Sequence, residues 1–175
     1  MGEAVRRARQ YEEAKTALLE DLSGDARVVA ETSIDFSERF ILPKRYIGGC
    51  YLTTMFLDTY LREERGVTVT PVVGYVNDGT DDIMISHAWI ELNGRKTDLM
   101  LAFVEYGHAG PLLVLDRELR PGAVQYSYRR EQTDAGRARY AALMDDPQTR
   151  PLVIHKEQEH ADVLARIGDH AIIMR

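Results

Sequence analysis

Cys50, His87 and Asp98 are the residues of this chain whose types and spacing suit a thiol nucleophile with a carboxylate-oriented base. Cys50 follows Gly48-Gly49 and opens the run CYLTTMFLDTYLREER, apolar for two turns and charged only in the last turn before Gly66. That pattern predicts a buried helix with an exposed C-terminal end and Cys50 in its first turn. Paired glycines let the backbone turn tightly there, and the unpaired N–H groups and dipole of a helix N-terminus stabilise a thiolate. A cysteine so placed is a candidate nucleophile, although cysteine also packs in cores as a small apolar residue. It is the single cysteine, so an internal disulfide and a multi-cysteine zinc ribbon are both excluded.

The base follows from a hairpin. Residues 83–92 alternate as a strand, Asn93-Gly94 is a strong two-residue turn signal, and residues 95–103 are expected to run back as the partner strand. A turn at Asn93-Gly94 pairs Leu92 with Arg95, Ile90 with Thr97, Trp89 with Asp98 and His87 with Met100. In that register His87, Trp89, Glu91, Lys96, Asp98 and Met100 share one face. His87 and Asp98 become diagonal neighbours with backbones roughly 7–8 Å apart, a gap that an imidazole and a carboxylate can bridge. The inference requires an unbulged turn, because a one-residue slip moves Asp98 to the other face.

The stretches GGCYLTTMFLDTYLREERGVTVTPVVGYV and SHAWIELNGRKTD together resemble the core of the transglutaminase-like superfamily: a Gly-x-Cys helix, a Gly-Tyr-Val strand, a His-Ala-Trp-x-Glu strand and a triad aspartate. The resemblance runs from Gly48 to Asp98 in a chain of 175 residues. It implies a papain-like α+β core in which N-terminal helices carry the nucleophile at a helix N-terminus packed on a mainly antiparallel sheet. It implies Cys50 as nucleophile, His87 as general base and then acid, and Asp98 as its orienting partner. Trp89 and Glu91 match the family's strand, and Gly49 and Trp89 are carried as contacts on the substrate side. Tyr46, just upstream, is the expected second oxyanion donor beside the Cys50 N–H, with Lys44 as the other side chain available. The expected function is a thiol hydrolase that cleaves a peptide or amide bond through a thioester. The alternatives are an acyltransferase using an amine acceptor and a catalytically silent protein-binding module. One departure is that Leu99-Met100-Leu101 follows Asp98 where the family often turns, so the strand is expected to continue.

These residues need elements to hold them. Tyr11, Ala14, Leu18 and Leu22 recur at helical spacing over residues 3–22 and predict an N-terminal helix that covers one side of the core. Residues 25–40 mix periods and are read as a second helix. VTVTPVVGYV is rich in β-branched residues, with Pro71 suggesting an edge or a bulge, and a turn follows at Asn77-Asp78-Gly79. Further strands are expected at 112–115 and 123–129, a helix from a cap at Asp134 to Asp146-Pro147, and a last helix over 156–167. The reading is a single α+β domain, 1–175, helices first and then the sheet.

The remaining signals narrow the function classes. With 28 acidic and 22 basic residues the net charge is −6, the wrong sign for a protein that neutralises nucleic-acid phosphates. No apolar run approaches the roughly 20 residues of a membrane span, and the N-terminus has arginines but no apolar stretch of a secretory signal. A cytoplasmic location is expected, with a peptide or protein amide as substrate and no cofactor. His155 and His160 are five apart, which does not place them on one helical face as a metal pair, so a solvated helix is expected there. A zinc site from Cys50, His87 and Asp98 has suitable ligand types but lacks paired-ligand spacing. His108 is expected in a loop, and Tyr126 and Tyr128 alternate as strand residues do when they pack a sheet.

Overall fold

A computed structural model describes residues 2–104 and 107–173. Helix α1 (Glu3–Glu20) turns the apolar stripe of the sequence inward: Leu18 is buried, and Tyr11, Ala14 and Leu22 pack against the same core. Helix α2 (Gly24–Phe36) runs on into a π turn (Ser37–Ile41) and a single turn, α3 (Leu42–Lys44). Pro43 cannot donate an N–H into an α ladder, and the chain widens just before it. Arg45 then takes a left-handed backbone, φ 48°, and ends the run.

Helix α4 (Cys50–Arg65) has the bounds that the glycines predict. Gly66 closes it at φ 66° with its N–H on the Leu61 carbonyl, and Cys50, Thr54, Leu57, Asp58 and Leu61 form its buried stripe at helical spacing.

The sheet is antiparallel throughout, in the order β3-β2-β1-β6, with β1 (Thr70–Asn77), β2 (Ile85–Leu92), β3 (Arg95–Thr97) and β6 (Ser127–Arg129). Asn93 and Gly94 adopt φ 51° and 77°, and the pairs Ile90–Thr97 and Leu92–Arg95 form in the expected register. Strand β6 flanks β1 only at Tyr75–Asn77, so Pro71 sits where that side of β1 has no strand neighbour. Alternation gives the sheet two distinct faces. One carries Val73, Ala88 and Ile90 into the main core beside Leu57 and Leu61 of α4. The other carries Gly74, Val76, His87, Trp89 and Tyr128.

Several expectations are corrected. The return strand stops at Thr97 instead of continuing to Phe103, because the Asp98 carboxylate accepts the Met100 N–H and folds the chain into a turn. The expected pairs Trp89–Asp98 and His87–Met100 therefore do not form. Asp98 instead exchanges both backbone hydrogen bonds with Leu113, at 2.9 Å each. Strand β4 (Leu112–Val114) pairs with an unforeseen β5 (Arg117–Arg120). Their turn places Leu115 and Asp116 at φ 52° and 63°, a conformation without its usual glycine signal. Strand β6 has three residues rather than the whole of 123–129. Thr133, not Asp134, caps α5 (Asp134–Asp145), accepting the Gly136 N–H at 3.0 Å. Helix α6 (Arg150–Ile173) starts before Lys156, since Pro151 is tolerated in a first turn. Among the described residues no helix is long and apolar enough to cross a membrane.

Candidate active site

The end of β3 decides where the site lies. Where the strand stops, the Asp98–Met100 turn occupies the place beside His87 that a continued hairpin would fill. The first turn of α4 docks on the same turn through Thr53, whose hydroxyl donates to Met100 Sδ at 3.3 Å. One short loop thus touches both the strand that carries the imidazole and the helix that carries the thiol.

His87 Nε2 lies 2.7 Å from Asp98 Oδ2. The same carboxylate accepts the Met100 N–H at Oδ1, 2.9 Å, and the Tyr128 hydroxyl at Oδ2, 2.9 Å. Three donors fix its plane, and with it the plane of the imidazole. With Nε2 committed to Asp98, Nδ1 is the ring nitrogen that does not face this carboxylate. Burial works against a charge on His87, but the Asp98 carboxylate and the Cys50 sulfur outweigh it and raise the imidazole pKa from 6.5 to about 10. The site is enclosed: Cys50 is 7% exposed, His87 4% and Asp98 2%.

Gly74 stands opposite His87 on β1 and explains how Tyr128 gets in. A Cβ there would lie 2.4 Å from the Arg129 carbonyl and 2.9 Å from the Trp89 ring. Without one, β6 and the indole close in, and the Trp89 ring meets the edge of Tyr128 at 5.1 Å between centroids. Burial and the charge of Asp98 both push the Tyr128 pKa far up, so its hydroxyl stays a proton donor.

The other expected site residues separate into two kinds. Tyr46 and Gly49 lie together at the start of α4: a Cβ on Gly49 would sit 2.6 Å from the Tyr46 hydroxyl oxygen, so this phenol lies over the residue preceding Cys50. Trp89 is buried, its indole N–H donates to Glu91 Oε1 at 2.9 Å, and its ring lies 6.4 Å from that of His87. It walls the imidazole and offers no open donor. Lys44 holds its ammonium 5.4 Å from the Phe40 ring.

No protein-family model, curated protein or solved structure matches this chain.

His160 departs from the expected solvated helix. Its Nδ1 lies 2.5 Å from Ser86 Oγ and 3.2 Å from the Tyr51 hydroxyl, which itself bonds Ser86. Burial lowers its pKa. His155 does stay exposed, 3.7 Å from Glu159. His108 bonds Asp78, away from His87 and Asp98, and Tyr126 donates to the His108 carbonyl at 2.7 Å. Among the described residues no group of three or more His, Cys, Asp or Glu side chains is arranged to hold a metal ion. Sequence reasoning missed Tyr128 and Met100 as partners of Asp98. A glycine inside a strand, at position 74, was the available signal for a close approach there.

Proposed function

We propose that the chain is a thiol enzyme that cleaves a peptide or amide bond through Cys50, His87 and Asp98. The observation that carries this is the 2.7 Å contact between His87 Nε2 and an Asp98 carboxylate held by two further donors, which leaves Nδ1 to the sulfur. The resemblance of Gly48–Asp98 to transglutaminase-like enzymes supports the same roles. In the proposed reaction the Cys50 thiolate adds to the carbonyl carbon, and the oxyanion meets the Cys50 N–H and the Tyr46 hydroxyl. His87 Nδ1–H then gives its proton to the leaving amine, the C–N bond breaks and a thioester remains. Water, losing a proton to Nδ1, attacks the thioester, releases the acid and restores the thiol–imidazole pair. Asp98 stabilises the imidazolium in both halves without taking its proton.

One observation favours a second reading. The enclosure of Cys50 and His87 limits water at the sulfur, and a dry thioester lasts long enough for an amine to compete. Acyl transfer then replaces the second half of the cycle while the first is unchanged.

The test is acyl trapping with a nitrophenyl ester. The expected result is a burst of one nitrophenolate per chain with the acyl mass on the peptide containing Cys50, lost in Cys50→Ala. A burst that survives Cys50→Ala, or an acyl group on another residue, overturns the proposal. Adding a primary amine separates the two readings by whether amide or acid is the product.

A further inference from the structure

A cavity of about 280 Å³ opens on the sheet face opposite the imidazole, walled by Tyr75 and Ser86 of the sheet, Gln132, Tyr140 of α5, and Glu157 and His160 of α6. Ser86 and His87 are consecutive on β2, so their side chains point to opposite faces and the imidazole does not line this cavity, while Tyr51, the residue after Cys50, bonds its walls Ser86 and His160. Three of its walls are aromatic rings, with Tyr75 and His160 stacked at 5.0 Å between centroids. The carboxylate among them is Glu157, which forms no ion pair among the described residues, whereas its neighbour Glu159 is paired with Lys156 at 2.7 Å. Its charge reaches every ring: after burial it raises the pKa of Tyr75 and Tyr140, and it partly opposes the lowering that burial imposes on His160. The His160 ring is held in place by Ser86 and Tyr51, so this wall is preformed.

Aromatic faces and one carboxylate around a volume the size of a long side chain are a receptor for an organic cation, since ring quadrupoles and the anion attract the same charge. We infer that this cavity binds a single alkylammonium group, presented either by a free amine or by a lysine side chain of a peptide. Recognition rests on Glu157 for charge, on Tyr75 and Tyr140 for the faces that contact the methylenes, and on His160 as the fixed rim. A neutral ligand of the same shape lacks the attraction, and a carboxylate is repelled.

The experiment is an amide-shift titration of the full chain with butylammonium, with butanol and butyrate as neutral and anionic controls. Saturable shifts at Tyr75, Gln132, Tyr140 and Glu157 with the cation alone are expected. Glu157→Gln keeps the shape on an exposed helical turn and should weaken butylammonium about tenfold. Parallel titration with Nα-acetyl-lysine methylamide distinguishes the sources: tighter binding than butylammonium assigns a peptide side chain, and equal binding assigns a free amine. Absence of saturation with both cations, equal binding of butanol, or unchanged affinity in Glu157→Gln overturns the inference. Because none of these readouts depends on Cys50, the result stands apart from the proposed thiol chemistry.

Discussion

Two histidine–carboxylate pairs sit in different settings of this molecule. His87 Nε2 and Asp98 Oδ2 are 2.7 Å apart with side chains 5% and 1% exposed, whereas His108 Nδ1 and Asp78 Oδ2 are 3.0 Å apart with the histidine 54% exposed. Around Asp98 the donors come from three parts of the fold: β2, the turn at Met100 and β6. Around Asp78 they come from two residues: Thr80 of its own loop, donating from its N–H at 3.0 Å and its hydroxyl at 2.6 Å, and His108, from its N–H at 3.3 Å and its ring at 3.0 Å. Those Thr80 bonds, then the one from His108, pull the Asp78 pKa well below the carboxylate range. The loop pair therefore serves a backbone turn. The buried pair holds a proton on its imidazole, and in the proposed reaction the second ring nitrogen serves the thiol. Chemistry of one side-chain pair is decided by enclosure and by a third partner, not by the distance between the two.

The largest effect should separate the pairs outright. His87→Ala is expected to slow acylation of Cys50 by roughly 10³-fold, a typical worth for a positioned acid–base group, while His108→Ala stays within about twofold. Comparable losses in the two variants, read from nitrophenolate release, would erase the distinction. Next, Asp98→Asn keeps one carbonyl oxygen, enough for the Met100 N–H, but turns an amide group toward Tyr128 and the imidazole and removes the charge. The expected loss is roughly 10²-fold, accompanied by a fall of the His87 titration midpoint in an NMR pH series. An unmoved midpoint would mean that burial and the thiol alone set it.

Tyr128→Phe removes one of three donors from Asp98. It should cost about 1 kcal/mol in denaturant unfolding and less than tenfold in acylation rate. The pH dependence of stability provides the smallest and most discriminating comparison. Folding raises the His87 pKa from 6.5 to about 10, so its stabilisation is complete below pH 6.5 and is lost as pH rises through 10. The Tm advantage of wild type over His87→Gln should shrink across that interval. Asp78 has the opposite sign: its lowered pKa stabilises above the ordinary carboxylate value and is lost as pH falls below it. The Tm gap between wild type and Asp78→Asn should close only in acid.

The difference between the pairs also marks how far the sequence was legible. Asn93-Gly94 fixes a register by local sterics, and that register alone brings Asp98 to within reach of His87. Gly48-Gly49 and Gly66 likewise bracket α4 from both ends by backbone freedom alone. The partners that arrive over long distances were not legible. Tyr128 meets Asp98 only because β6 pairs with β1 beside Gly74, and nothing near residue 128 encodes that pairing. His160 reads as one polar residue among the charges of its own helix and becomes half-buried only when α6 docks against Tyr51 and Ser86. Strand β5 was hidden because its turn uses Leu115 and Asp116 at positive φ, residues that do not signal it. The early end of β3 turned on one hydrogen bond, from the Met100 N–H to Asp98, that competes with the ladder.

The most direct test of a live thiol–imidazole pair uses the single cysteine, where every alkylation event reports on Cys50. Iodoacetamide alkylation should be followed from pH 5 to pH 9 in wild type, His87→Ala and His108→Ala. The account predicts that wild type and His108→Ala react at pH 6 at least tenfold faster than His87→Ala, which should approach their rate only near the ordinary thiol range of about 8.5. Superimposable pH–rate curves for wild type and His87→Ala would contradict it, and Cys50 would then be a packed core residue beside a structural histidine.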